Sequence, residues 1–248
     1  MEDLVTTVTE AAELLNPLGY ERVKILPGST YQDASTVIIV PTLGTIHHKV
    51  VSAWQSLISP MNQKRAFLFA VGDEVGKAYD NTIKNILATP ELRAFKYILT
   101  LEDDNTPPPD AHIRLLESIE YSKVDAVAGL YFTKGDLNMP MAYGNPAQYA
   151  KTGVLDFAPV DVRSAVANGH LVEVNGVACG CTLWRMDLFK SLPAPWFVTV
   201  ADVVPGKGAM AFTQDLYFCQ TAKLAGKRFA VDCRVKVGHL DPKTGTVY

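Results

Sequence analysis

Long apolar runs are missing. No stretch of the 248-residue sequence approaches the roughly 18 residues needed to span a bilayer, so no transmembrane segment is predicted. A basic leader is missing too: residues 1–20 carry Glu2, Asp3, Glu10 and Glu13 with no Lys or Arg, which argues against a signal peptide. Cysteine is scarce. Cys179, Cys181, Cys219 and Cys233 are too few for a disulfide framework, and Cys179-Gly180-Cys181 lacks the paired C-x-x-C spacing of a zinc site. They read as reduced, buried thiols of a cytoplasmic protein. Strong net charge is also absent. At −3 the chain has no global basic field to draw nucleic acid or anionic lipid. A local excess of lysine and arginine after Gly206 reads as a solvated face. No internal repeat or low-complexity segment is present.

What the chain does have is apolar content, 48% of residues, enough for one full core. Strand-like and helix-like segments alternate. Ser35–Val40 is a continuous β-branched run, as expected of a strand buried on both faces, and Pro41 is predicted to end it. A helix is expected around His47–Ile58, a strand over Lys64–Val71, and a helix over Val75–Ala88, where Val75, Tyr79, Ile83, Ile86 and Leu87 form one stripe. The strand Tyr97–Leu101, a helix near Asp110–Tyr121 and the strand Val124–Leu130 follow. This order predicts an α/β protein with a largely parallel sheet covered by helices. Residues 132–168, rich in Gly, Pro, Asn and Tyr, read as excursion loops. Beyond them, strands are expected at His170–Ala178, Trp196–Val200 and Phe229–Cys233, and a helix around Gln214–Ala225. Residues 1–34 read as an appended arm with a helix near Val5–Leu15, and 35–248 as one domain, its halves meeting at 131/132.

The most informative stretch is the tip of the third strand. Tyr97–Leu101 runs into Glu102, Asp103 and Asp104, then into a polar turn and three prolines that forbid continuation. Two like charges about 4 Å apart repel by roughly 4 kcal/mol at an effective dielectric near 20. Three consecutive carboxylates there call for a bound cation, a raised pKa or divergence of the side chains into water; at the carboxyl end of a buried strand, where open α/β sheets bind ligands, the favoured reading is a divalent cation that bridges to phosphates. A helix cap would need only one acid. Farther on, Thr213 reads as an N-cap and Asp215 falls in the first turn of its helix. Asp215 is therefore a candidate catalytic carboxylate or a dipole-stabilising acid, and the helix N-terminus is expected to depress its pKa. His239 follows the last strand; as a ligand, its imidazole would suit manganese better than magnesium. Gly72–Lys77 is not a P-loop, having three residues between its glycines and Ala78 after its lysine. Pro205–Ala209 is too short for a dinucleotide fingerprint and fits a mobile loop over a site.

Taken in order, these pieces resemble a GT-A-fold nucleotide-sugar glycosyltransferase, family-2-like and inverting, over residues 35–240. The resemblance rests on Val40–Thr42, Ala78–Asn81, Glu102–Asp104 at the D-x-D position, Gly176–Arg185, Thr213–Asp215 with Phe218 and Cys219, Ala225-Gly226, and Asp232 to His239. It implies a GT-A (Rossmann-like) mixed, mostly parallel sheet with helices on both faces. It implies Mn2+ or Mg2+ at Asp104 and His239, and a nucleoside-diphosphate sugar as donor. Glu102 and Asp103 would contact ribose or metal-bound water. Thr42 and Asp73 would border nucleobase and ribose, Asn81 matches a donor-side asparagine, and Gly180 would line the donor-sugar pocket. Asp215 would act as general base toward an acceptor hydroxyl on a glycan, protein, lipid or modified DNA base. Three positions depart from the family pattern: Glu102 for the first Asp, Asp80 for the arginine before Asn81, and Gln214 for the Glu before the base. A nucleotidyltransferase and a non-catalytic nucleotide- or sugar-binding protein on the same fold are the alternatives.

Overall fold

The computed structural model describes residues 33–204 and 208–248. The expected helix near Val5–Leu15, and most of the appended arm, lie outside the described residues. Seven strands form the main sheet: β1 (Thr36–Thr42), β2 (Arg65–Val71), β3 (Tyr97–Leu101), β4 (Ala126–Leu130), β5 (Leu171–Val174), β6 (Cys181–Arg185) and β7 (Phe229–Lys236). Their order across the sheet is β2-β1-β3-β6-β4-β7-β5. Strands β1, β2 and β3 are mutually parallel, as are β4 and β7, while β6 and β5 run antiparallel to their neighbours. The fold is therefore mixed α/β, mostly parallel.

The β-branched run of β1 is explained by two-sided burial. Val37 and Ile39 enter one apolar layer, and Ile38 and Val40 enter the other. Helices α2 (Val75–Ala88) and α5 (Gln214–Leu224) cover the first layer through Tyr79, Ile83, Ile86 and Phe218, joined by Phe189 of α4 (Met186–Ser191). Helices α1 (His48–Gln55) and α3 (Ala111–Ser122) cover the second through Val50, Trp54, Leu115 and Ile119. The apolar stripe of α2 thus faces the sheet.

Four expectations need correction. Pro41 does not end β1, which continues to Thr42. Pairing with β3 stops at Ile39, so Pro41 has a strand on one side only and its missing N–H is tolerated. Strand β6 was not expected; its mix of Cys, Thr, Leu, Trp and Arg shows no clean alternation, yet it is fully inserted between β3 and β4. Trp196–Thr199 is not strand. Trp196 is buried in a loop, its backbone N–H donating to Asp80 Oδ1 (2.8 Å) and its indole to the Leu192 carbonyl (2.9 Å), and strand structure begins only at Val200. Asp80 thus anchors this loop and also pairs with Lys84 at 2.6 Å. The 132–168 region holds two short helices, Pro146–Thr152 and Arg163–Asn168, each closed by a glycine at positive φ. The flanks of the expected mobile loop pair as an antiparallel hairpin, Val200–Val204 with Gly208–Phe212; Pro205, Gly206 and Lys207 lie outside the described residues.

Trp184 of β6 is fully buried among Phe189, Phe197, Phe218 and Phe229, and its indole donates to Thr100 Oγ1 at 3.0 Å. Trp184→Ala should cost about 3–5 kcal/mol of unfolding free energy, read from urea denaturation. A loss under about 1 kcal/mol would contradict this packing.

Candidate functional site

Chain direction concentrates chemistry at one edge of the sheet. The carboxyl ends of β1, β2, β3 and β4 deliver Thr42, Asp73, the acids Glu102 to Asp104, and the segment Tyr131 to Lys134. Because β6 is antiparallel, it is its beginning, Gly180-Cys181, that reaches this edge. Thr42, Leu43, Asp73, Glu74, Glu102, Asp103 and Asp104 line a cleft of about 300 Å³. Glu74 was not expected here. It caps α2 through the Lys77 N–H (3.1 Å) and accepts from Thr199 Oγ1 (2.6 Å), which ties the cleft wall to the loop after Trp196.

His239 reaches the acids through backbone pairing. Gly238-His239 forms a two-residue ladder with Asn105-Thr106, and the Leu240 N–H donates to the Asp104 carbonyl at 2.7 Å. His239 Nε2 lies 3.4 Å from Asp104 Oδ2. Its Nδ1 lies 2.7 Å from the Phe132 carbonyl, which only accepts, so Nδ1 carries a proton. Nε2 then faces the carboxylate with a proton when the ring is cationic and with a lone pair when it is neutral. In the neutral form, two acceptors face each other. Lys134 Nζ also contacts Asp104 Oδ2, whereas Asp104 Oδ1 is buried without a hydrogen-bond partner.

Gly180 packs beneath the acids. Its carbonyl accepts from the Glu102 N–H (3.1 Å) and its N–H donates to the Tyr131 hydroxyl (2.9 Å). A Cβ there would collide with Asn105 Oδ1 and the Tyr131 hydroxyl, so the position requires glycine. Asn105 itself is fully buried and its Oδ1 has no partner.

The electrostatics follow from this crowding. Burial pushes Glu102 up to about 8, helped by Asp104, Asp215 and Asp103 and only partly offset by Lys134. Glu102 is therefore protonated at neutral pH in the metal-free protein. Burial also pushes Asp104 up, but the hydrogen bonds and charges of His239 and Lys134 outweigh it and hold Asp104 below the usual carboxylate range. Asp215 departs from expectation. It sits in the first turn of α5 and accepts from the Leu216 N–H (2.9 Å), yet its pKa is raised, not depressed, because burial outweighs the hydrogen bonds at the helix start. It is 7% exposed. The phenols of Tyr79, Tyr131 and Tyr143 are raised first by burial and then by charge on Glu102 and Asp215, so the space between these acids is lined by neutral hydroxyls. The Tyr79 hydroxyl is buried without a partner.

The edge thus gathers Thr42, Asp73, Glu102, Asp103, Asp104, Gly180 and His239, with Asp215 close enough for its charge to act on Glu102. Asn81 does not join them; it is exposed on α2 and does not line the cleft. Lys134 and Tyr79 were missed as site residues. Lys134 lies in a polar loop with no local pattern, and Tyr79 is indistinguishable from the rest of its apolar stripe. All four cysteines are free and buried. Among the described residues, no group of three or more His, Cys, Asp or Glu side chains could hold a metal by itself, and no helix is long and apolar enough to cross a membrane.

No protein-family model and no curated protein matches this chain. Among solved structures, the crystal structure of A197 from STIV is similar, with a TM-score of 0.58 and 16% sequence identity over 86% of this chain and 92% of that one. The likeness shows a shared fold.

Glu102 makes folding pH-dependent. Its pKa rises from 4.5 unfolded to about 8 folded. The folded state thus holds a proton that the unfolded state has lost. The destabilisation is absent below 4.5, grows through that window and is complete above 8. Glu102→Gln should therefore raise the melting temperature of the chelator-treated protein by about 3 °C or more at pH 8.5, and by less at pH 5. Equal shifts at both pH values would contradict the burial of this carboxyl.

Proposed function

We propose that this protein is a metal-dependent glycosyltransferase that moves a sugar from a nucleoside-diphosphate sugar to an acceptor hydroxyl with inversion. The observation that carries the reading is the half-built cation site at Asp104. One carboxylate oxygen is buried and unpartnered, and the other faces an imidazole nitrogen whose tautomer is set by the Phe132 carbonyl. A carboxylate oxygen and an imidazole nitrogen suit manganese or magnesium, manganese the better. Two protein ligands leave the remaining positions to water and substrate phosphate, as is usual for cations that act on diphosphates. The shared fold with A197 from STIV is consistent with this reading at the level of architecture.

Residue roles follow from the cleft. Asp104 and His239 would hold the cation, which supplies positive charge opposite a departing diphosphate. Thr42 and Asp73, at the ends of β1 and β2, border the nucleoside. Glu102, carrying its proton, donates a hydrogen bond into the cleft instead of adding a third negative charge. Gly180 acts through packing: without a Cβ it lets Asn105 and the Tyr131 hydroxyl close in beneath the acids. Asp215 takes the proton of the acceptor hydroxyl as that oxygen bonds to the anomeric carbon and the bond to the diphosphate oxygen breaks. Its raised pKa makes it a stronger base than an ordinary aspartate.

A screen of nucleotide-sugars by thermal shift should find at least one that raises the melting temperature only with manganese present, and Asp104→Ala should abolish the shift. No shift with any nucleotide-sugar would refute the donor assignment. With the donor identified, Asp215→Asn should lower kcat by about 10²–10⁴-fold while keeping the manganese-dependent thermal shift. Full activity in that variant would remove Asp215 from the mechanism.

A further inference from the structure

We propose that Lys134 is a built-in placeholder for the divalent cation: its ammonium holds Asp104 in the metal-free protein, gives up that oxygen when the ion arrives, and turns to the diphosphate of the substrate. The proposal rests on the reading of Asp104 and His239 as cation ligands. It assigns a diphosphate-gripping role to a residue outside the acid motif.

Asp104 Oδ2 has two claimants. Lys134 Nζ contacts it, and His239 Nε2 lies 3.4 Å away. A cation joining Asp104 to His239 would take up the same oxygen that the ammonium holds. Two positive charges on one carboxylate repel each other, so the metal and the lysine compete. The second oxygen, Oδ1, is buried and unpartnered, so the carboxylate is left ready for an ion that the ammonium does not replace in full.

The backbone beneath Lys134 is tied down, and its side chain is partly exposed. Thr133 N–H donates to the Met139 carbonyl at 2.8 Å, and Met139 N–H donates to Thr133 Oγ1 at 3.0 Å, closing the loop that carries Lys134. The side chain is 31% exposed and has four rotatable carbons. The anions facing it are Asp104, Glu102 and Asp241. Asp241 is bound to its own turn through the Lys243 N–H and the Thr244 hydroxyl. A diphosphate that enters the cleft with the metal carries more negative charge than any single carboxylate there, so an ammonium displaced from Asp104 turns to its phosphate oxygens.

The two halves of the idea predict opposite signs for one substitution. Removing the charge with Lys134→Met should tighten Mn2+ binding to the free protein by about fivefold, because the competitor is gone. The same variant should weaken binding of inorganic pyrophosphate, measured by calorimetry at saturating Mn2+, by about tenfold, because the grip is gone. Mn2+ binding is read by electron paramagnetic resonance without nucleotide, so neither arm needs turnover. Lys134→Arg, which keeps the charge, should stay within about twofold of the parent for Mn2+. Unchanged or weaker Mn2+ binding in Lys134→Met overturns the placeholder. Unchanged pyrophosphate binding overturns the transfer to diphosphate and sends the ammonium to Asp241 instead. Asp104→Asn separates the two levels: Mn2+ binding that survives it refutes the cation site itself, whereas Mn2+ binding that depends on Asp104 but ignores Lys134 refutes only this inference.

Discussion

The structure depends on how it tolerates carboxylates crowded in a poorly hydrated corner. Four acids act on one another at the edge of the sheet, and water cannot screen them fully. Each is handled differently. Asp104 is favoured in its ionised form by the Lys134 ammonium and by the His239 ring when that ring is cationic. Glu102 keeps its proton. Asp215 is buried behind the start of a helix and sits above its ordinary range. Asp103 lines the open cleft. Acids of nearly the same side-chain chemistry are thus pushed in opposite directions, Glu102 and Asp215 up and Asp104 down.

The fold creates this corner by topology. Parallel strands deliver their carboxyl ends together, and the antiparallel insertion of β6 adds a glycine from the opposite chain direction. Only a backbone without a Cβ can pass between Asn105 and the Tyr131 hydroxyl. The short ladder between Asn105-Thr106 and Gly238-His239 then ties the last part of the chain to the acid motif. Local sequence chooses which side chains are present, and long-range pairing decides which of them meet.

Much of the architecture was legible. Tyr97–Leu101 and Val75–Ala88 lie where their patterns put them, because buried strands and amphipathic helices carry strong periodic signals. The acid cluster was readable as unusual because three charges at a strand end conflict with burial. Other features left no local trace. β6 has no alternation, and its place in the sheet is set by partners about 80 residues upstream and about 60 residues upstream. The pKa of Asp215 was misjudged in direction because a helix N-terminus is visible in sequence and burial is not. Lys134 became visible only once the chain returned it to Asp104, and Asp80, which departs from the family pattern, turned out to anchor the loop at Trp196.

The register of β6 has a consequence for how errors in folding would be felt. Leu183 opposite Leu99 and Thr182 opposite Thr100 fix the strand between two others. A slip of one residue would turn Trp184 out of its aromatic layer, because side chains alternate between faces. The same slip would carry Gly180 away from the Glu102 amide. Misthreaded molecules would therefore forfeit the acid corner and the aromatic packing in a single stroke, and a chain that holds its tryptophan correctly has, by the same geometry, already set Gly180 beneath the acids.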